Sequence, residues 1–168
     1  MSLYFTLLRL IHIFGGILWA GWAFILPAFI EPASKGAGPE GGKFMQALAS
    51  KTKILPAMTI APLLVILSGV LMYWPLSGGL NGQWLVSPRG LWLTLGALAG
   101  ILAFFFGFAV NRPTAQRIAT LSREIATADG PPRPEQLADL QRQQERLSKA
   151  GVVSAVLLGV TVLGMVLA

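Results

Sequence analysis

The stretch of sequence that decides the fold runs from Leu3 to Ile30 and reads LYFTLLRLIHIFGGILWAGWAFILPAFI. It is apolar for longer than the roughly 20 helical residues that cross the hydrocarbon core of a bilayer. Two basic residues interrupt it, Arg9 and His12, and His12 is the only histidine in the chain. Because an ionisable side chain inside a membrane span is costly, His12 is the first candidate for a functional residue.

The composition of the whole chain agrees with a membrane protein. Of its 168 residues, 54% are hydrophobic and 12% are charged, whereas a typical soluble domain has about 25% charged residues. The formal charge of +6 comes from basic residues in the connections between apolar segments. We attribute them to membrane topology and contact with the lipid surface, not to nucleic-acid binding. The absence of cysteine excludes disulfides, thiolate metal sites and c-type haem linkage.

Four apolar segments are long enough, or nearly so, to cross a bilayer as helices. The first continues apolar well past Ala23, so we interpret it as a retained anchor and not as a cleaved signal peptide. The sequence therefore predicts an all-α integral membrane protein, a single membrane domain over 1–168 that forms a four-transmembrane-helix up-down bundle. Its predicted spans cover about residues 3–30, 54–76, 91–110 and 151–168.

The third connection, residues 111–149, is the longest polar segment. Ile118, Leu121 and Ile125 recur at helical spacing, the breaker DGPPRP follows at 129–134, and three further leucines come after it. This pattern predicts two amphipathic helices that pack as a hairpin over about 112–149, with a seam formed by both apolar sets. The seam residues are Ile118, Leu121, Ile125, Leu137, Leu140 and Leu147. The first connection, 31–52, is rich in Gly, Pro and Lys and predicts a loop with a short helix over 42–50.

Lysine and arginine are distributed unequally between the two sides of the predicted bundle. Nearly all of them fall in the first and third connections, while the other side carries only Arg9 and Arg89. The positive-inside rule then places both termini outside and the connections 31–52 and 111–149 in the cytoplasm, with the spans in a bacterial inner (cytoplasmic) membrane.

Small residues mark the predicted helix contacts. Helices in lipid associate through close packing and hydrogen bonds, so stripes of small residues indicate contact faces. The third span carries Gly96, Gly100, Ala103 and Gly107, and the fourth carries Gly151, Ala155 and Gly159.

The spans hold little of what catalysis needs. All seven acidic residues lie in the first and third connections, and no span contains a carboxylate pair, a phosphate-binding loop or a nucleophile beside a base. A proton or cation pathway normally uses buried carboxylates. The sequence therefore favours neither an enzyme nor a protein that transports protons or cations.

His12 admits two interpretations. As a neutral imidazole it could ligate the metal of a haem b or of another tetrapyrrole. Gly15 and Gly16 would then leave room for a flat macrocycle, and Trp19 lies on the same helix face. Arg9 and Arg89 are the candidates to pair with a haem propionate. Met72, roughly level with His12, is the candidate for the sixth ligand of the iron.

The competing interpretation is structural. A single buried histidine is more often bonded to a carbonyl or hydroxyl group of a neighbouring helix than to a metal. Gly15, Gly16 and Trp19 would then serve packing, and Arg9 would extend to the lipid headgroups.

The segment LIHIFGGILWAGWAF, residues 10–24, resembles the small membrane proteins grouped around copper-resistance protein D and the HemJ-type protoporphyrinogen oxidase. The resemblance rests on His12, Gly15, Trp19 and Gly21, followed by three further spans. It implies a four-helix fold in which the first-span histidine, here His12, binds haem b. In the HemJ type a lysine in a later span supports activity; this chain has no lysine in any span, and Arg89 is the nearest cation.

Two functions follow from these observations. The sequence favours a non-catalytic accessory subunit of a larger respiratory or photosynthetic membrane complex, with the lipid bilayer and other membrane subunits as partners and no nucleic acid. The alternative is a haem-b redox protein that uses His12.

Overall fold

The computed structural model describes residues 2–128 and 130–168, which form helices joined by short turns. Met1 and Asp129, the first residue of the predicted breaker, lie outside the described residues. The α-helices are α1 Leu3–Ile25, α2 Glu31–Gly36, α3 Pro39–Lys51, α4 Ile54–Leu76, α5 Gly82–Leu85, α6 Pro88–Phe106, α7 Arg112–Thr127 and α8 Pro134–Val166.

Within residues 2–128 and 130–168, four continuous helical stretches are long and apolar enough to cross a membrane, as judged by length and composition. They are Leu3–Gly36, Ile54–Leu76, Pro88–Thr127 and Pro134–Val166. The second has the bounds that hydropathy predicts, whereas the other three extend beyond the apolar residues into polar sequence. The described residues therefore form an all-helical fold with the long apolar helices typical of a membrane protein.

Two π-helical turns make the first and third stretches continuous: Leu26–Ile30 joins α1 to α2, and Gly107–Asn111 joins α6 to α7. The same hydrogen bond closes each turn, from Glu31 N–H to Leu26 O and from Arg112 N–H to Gly107 O. A proline follows each donor, at 32 and at 113. A proline ring crowds the carbonyl four residues before it and offers no N–H. The wider π turn accommodates that ring without ending the helix.

The first connection is more helical than the sequence predicts. Instead of a loop with a helix over 42–50, it forms α2 and α3, separated by Gly38 with a φ of 59°. Pro39 occupies the first turn of α3, where its missing N–H costs nothing. A Cβ on Gly41 would overlap the backbone of Ser34, so the two short helices pack closely there.

The spans pack as pairs. α1 lies against α4 and α8, α6 lies mainly against α8, and α4 touches α6 more narrowly. At the α4–α6 contact, the Tyr73 hydroxyl lies 2.6 Å from the Thr94 Oγ1 atom. The Trp84 ring packs edge-on against Tyr73, with ring centroids 5.6 Å apart. These contacts lie at the end of the bundle where the 77–87 connection joins α4 to α6.

Small residues form the α6–α8 contact, as predicted for the third span except at Gly107, which is only partly buried and where a Cβ would lie 4.0 Å from Asn111. Gly96, Gly100 and Ala103 are buried, and Gly96 and Gly100 face Thr161 of α8. The predicted stripe of the fourth span divides between neighbours. A Cβ on Gly159 would lie 3.6 Å from Phe24, and one on Gly151 would lie 4.0 Å from Pro27, so both face the end of the first span instead of α6.

The polar helix α7 packs against the first half of α8. Leu121 is 2% exposed at this contact, and Arg117 Nη2 donates to Asp139 Oδ2 at 3.0 Å. Leu137 is 48% exposed, so its assignment to the seam was wrong. It lies in the first turn of α8, close to the helix end at Pro134.

Candidate functional site

One side of α1 is turned towards the rest of the bundle, and His12 lies at its centre. At about 100° per residue, the partly or fully buried residues of α1 up to Trp19 fall within one arc: Phe5, Leu8, His12, Gly15, Gly16 and Trp19. Further along the helix, residues 20–23 are all partly buried. The opposite arc carries exposed long side chains, among them Leu10, Phe14 and Ile17. The structure thus brings His12, Gly15, Gly16 and Trp19 to the same inward side.

His12 forms hydrogen bonds across the α1–α4 contact. Its Nδ1 atom lies 2.9 Å from the Val65 carbonyl oxygen and 3.3 Å from Ser68 Oγ. A carbonyl oxygen only accepts, so Nδ1 carries the proton and donates it to Val65. The Ser68 hydroxyl itself donates to carbonyls of its own helix, at Leu64 or Val65. These partners assign the neutral ring to the Nδ1–H tautomer.

This tautomer leaves the Nε2 atom with a free lone pair. Among the described residues, both hydrogen bonds to the ring end on Nδ1. An acceptor without a partner is costly in hydrocarbon. A metal-ligating histidine typically donates its other ring N–H to a carbonyl or carboxylate, which fixes the ring and raises the basicity of the ligating nitrogen. The His12–Val65 bond provides that arrangement.

Gly69 of α4 makes room for the imidazole, a role that the sequence did not reveal. A Cβ there would lie 3.0 Å from His12 Cε1 and 3.4 Å from Nδ1. A side chain at 69 would therefore push the ring away from α4 and weaken the bond to Val65. The available signal was the Ser68-Gly69 pair inside an otherwise apolar span.

Gly15 and Gly16 have different surroundings. A Cβ on Gly15 would lie 2.8 Å from Val65 Cγ2 and 3.4 Å from the Ala61 carbonyl oxygen, so Gly15 serves close helix packing. Gly15 therefore has the packing role of the structural interpretation, and no space is left beside it for a macrocycle. Gly16 has no atom within 4 Å of the position that a Cβ would take. Open space therefore lies beside His12 on the Gly16 side.

Met72 is displaced from the level of His12. Gly15 meets Ala61 and Val65, and His12 meets Val65, Ser68 and Gly69, so α1 and α4 run antiparallel. Extending that register places Met72 level with Leu8, one turn away from the imidazole. A role for Met72 as a sixth ligand stays a prediction, with its Cα about one helical turn from the level of His12.

The two predicted propionate partners lie at helix ends. Arg9 is exposed one turn before His12, near the start of α1. Arg89 is exposed in the first turn of α6, a helix that packs mainly on α8 and not on α1. The structure does not bring Arg89 together with His12.

The donor set limits which metal site is feasible. Within the part of the chain that the structure describes, no group of three or more His, Cys, Asp or Glu side chains could hold a metal ion. A metal bound by His12 would therefore need to arrive with ligands of its own. A metal tetrapyrrole meets that requirement, because its macrocycle supplies four nitrogen ligands.

No protein family, curated protein or solved structure matches this chain.

Proposed function

We propose that this protein is a membrane haem-b protein in which His12 ligates the haem iron through Nε2. The observation that carries the proposal is the hydrogen bond from His12 Nδ1–H to the Val65 carbonyl oxygen at 2.9 Å. It fixes the ring and leaves the ligating nitrogen free. The open space at Gly16 supports the proposal, since a planar macrocycle needs a surface without a side chain beside its axial ligand.

Bound haem would supply one-electron redox chemistry. The chain would contribute the axial ligand, its orientation and an apolar surrounding. Val65 and Ser68 hold the imidazole against α4, and Gly69 keeps the ring close to that helix. Arg9, one turn nearer the start of α1, would be the first candidate to pair with a propionate, since Arg89 lies on a helix that packs mainly on α8.

The deciding measurement is an absorption spectrum of the gently purified protein, oxidised and reduced. We expect a Soret band in stoichiometric amount that falls or shifts in His12→Ala while the protein stays inserted and helical. If no tetrapyrrole band is attributable to the chain, the proposal fails. His12→Ala would then remove only a partly buried interhelical hydrogen bond, at a cost of about 1–3 kcal/mol.

A second candidate function is that of an accessory subunit of a larger respiratory or photosynthetic membrane complex. It is favoured by a glycine on the outward arc of α1. Gly21 is partly buried, lies on the opposite side of the helix from His12 and has no atom within 4 Å of a Cβ position. Exposed long side chains such as Phe14 and Ile17 lie on the same side of the helix. Small residues let a neighbouring helix approach closely in lipid. Gly21→Leu should then reduce the size of the native complex in mild detergent.

We also infer the orientation from charge. The positive-inside rule places residues 31–52 and 111–149 in the cytoplasm and both termini outside, in a bacterial inner membrane. The long polar extension of α7 and α8 is consistent with a domain in water on that side.

A further inference from the structure

A groove of about 430 Å³ lies where α8 passes from polar to apolar sequence, next to the π turn that joins α6 to α7. Its charged lining comes from one face of α8, at positions 142, 145, 146 and 149. Its apolar lining comes from α8 on one side and from the end of α6 and the π turn on the other. The lining residues are Phe106, Val110, Arg142, Glu145, Arg146, Lys149, Ala150 and Val153.

The charges in the groove are unbalanced. Arg142, Arg146 and Lys149 are exposed cations, and Glu145 is the opposing carboxylate. The ion pairs formed among the described residues, Lys43–Glu40 and Arg117–Asp139, involve none of the three cations. The groove therefore presents a net positive charge.

The apolar part continues directly from the charged part along the same helix. Ala150 and Val153 follow Lys149 on α8, and Phe106 and Val110 form the facing wall. From Arg142 to Val153 the helix rises by roughly 16 Å at 1.5 Å per residue. A single ligand lying along the groove would therefore contact cationic side chains at one end and apolar side chains at the other.

We propose that this groove binds one anionic glycerophospholipid. The three cations would pair with its phosphate, and an acyl chain would lie along Phe106, Val110 and Val153. Juxtamembrane clusters of basic residues attract anionic lipid headgroups, and arginine matches a phosphate with paired donors. A soluble phosphate would use only the charged end of the groove, so the apolar continuation favours the lipid.

The test titrates phosphatidylglycerol or phosphatidylcholine into the purified full-length protein in detergent and follows the thermal unfolding midpoint and the lipid adducts by native mass spectrometry. We expect the wild type to prefer phosphatidylglycerol. The triple variant Arg142→Gln/Arg146→Gln/Lys149→Gln should bind it about tenfold more weakly or worse. Lys35→Gln/Lys51→Gln/Arg123→Gln, which removes the same charge from exposed positions outside the groove, should bind as the wild type does.

Two further arms keep the proposal falsifiable even if the triple variant folds poorly. Glu145→Gln removes the opposing carboxylate and should tighten phosphatidylglycerol binding. Inorganic phosphate in large molar excess should not displace the lipid, because it cannot use the apolar wall. Equal losses in both triple variants, no preference for phosphatidylglycerol, no gain in Glu145→Gln, or displacement by phosphate would each overturn the proposal.

Discussion

Gly96 and Gly164 bring α6 and α8 into backbone contact. A Cβ on Gly164 would lie 2.7 Å from the Gly96 Cα atom and 2.6 Å from the Trp92 carbonyl oxygen. Both obstacles belong to the backbone, so a rotamer change cannot relieve them. The two helices can approach this closely only because neither position carries a side chain. Small residues at such contacts are a common way for helices to pack in lipid.

We therefore expect Gly164→Ala to destabilise the protein by about 1–3 kcal/mol, the usual cost of overpacking a well-fitted contact. The matched control is Gly159→Ala on the same helix, where the added methyl would meet Phe24 at an ordinary 3.6 Å. Unfolding of the purified protein in a denaturing detergent mixture measures both. Equal stability of the two variants would show that the α6–α8 contact relaxes easily.

The second prediction concerns the contact between α7 and α8. Leu121→Asp should destabilise this contact by about 3 kcal/mol or more, because it buries a charge without a partner at a position that is 2% exposed. Leu137→Asp, at an exposed position on the facing helix, should change stability little. Amide hydrogen exchange along α7 measures the effect. If Leu121→Asp leaves that exchange unchanged, the two helices are merely solvated neighbours.

The α7–α8 contact should also weaken in acid. The Gln143 side-chain amide at 3.2 Å and Arg117 at 3.0 Å stabilise the charged Asp139 carboxylate and lower its pKa below the ordinary value. A group whose pKa is lower in the folded state contributes stability above its unfolded pKa, near 4 for aspartate, and loses it as the pH falls through the folded value.

Exchange at the α7 amides should therefore accelerate as the pH falls below about 4, once intrinsic exchange rates are corrected. In Asp139→Asn this acid dependence should be reduced. Glu135→Gln, which removes an exposed acid in the first turn of the same helix, is the control and should behave as the wild type does. An identical acid dependence in wild type and Asp139→Asn would exclude Asp139 as its source.

Hydropathy predicts the second helical stretch to its observed bounds because Ile54–Leu76 is limited by polar residues on both sides. It fails at residues 31–52, where Gly and Pro indicate a loop but Pro32 and Pro39 occupy first-turn positions of α2 and α3. It also misses the π turns, whose signal is a proline just beyond an apolar span. That signal alone does not distinguish a wider turn from a helix end.

The candidate site shows the same limit. Helical periodicity predicts that His12, Gly16 and Trp19 share a face. It does not give the register between α1 and α4, since that depends on the contact of Gly15 with Val65 and of the imidazole with Gly69. For this reason the sequence put Met72 roughly level with His12 and gave Gly69 no role.

A fourth prediction concerns orientation. A reporter fused after Ala168 should report the outside of the membrane, and one inserted near Gly130, in the turn between α7 and α8, should report the cytoplasm. The physical reason is the concentration of lysine and arginine in residues 31–53 and 111–149. A cytoplasmic label after Ala168 together with an outside label near Gly130 would invert the proposed topology. It would also move the lipid groove to the other side of the membrane.

The final prediction separates the two proposed functions by comparing two glycines of α1. Gly16 and Gly21 both have open space at the Cβ position, but Gly16 lies on the inward arc beside His12 and Gly21 on the outward arc. On the haem proposal, Gly16→Leu should displace the macrocycle and reduce or shift the Soret band, as His12→Ala does, while Gly21→Leu leaves the spectrum unchanged. On the accessory-subunit proposal, Gly21→Leu should reduce the size of the native complex, and neither variant alters a spectrum.

The same membranes serve both readouts: an absorption spectrum of the purified protein and native electrophoresis of the mild-detergent extract. The inserted amount of each variant, determined by immunoblot, is the control for folding. Because both substitutions add the same side chain to the same helix, a general loss of helix stability would affect them alike. A pigment lost in Gly16→Leu and retained in Gly21→Leu therefore identifies the inward arc as the cofactor surface. If instead Gly21→Leu reduces the size of the native complex, Gly16→Leu does not, and no variant carries a pigment, haem binding is rejected. His12 is then only an interhelical hydrogen-bond donor to Val65.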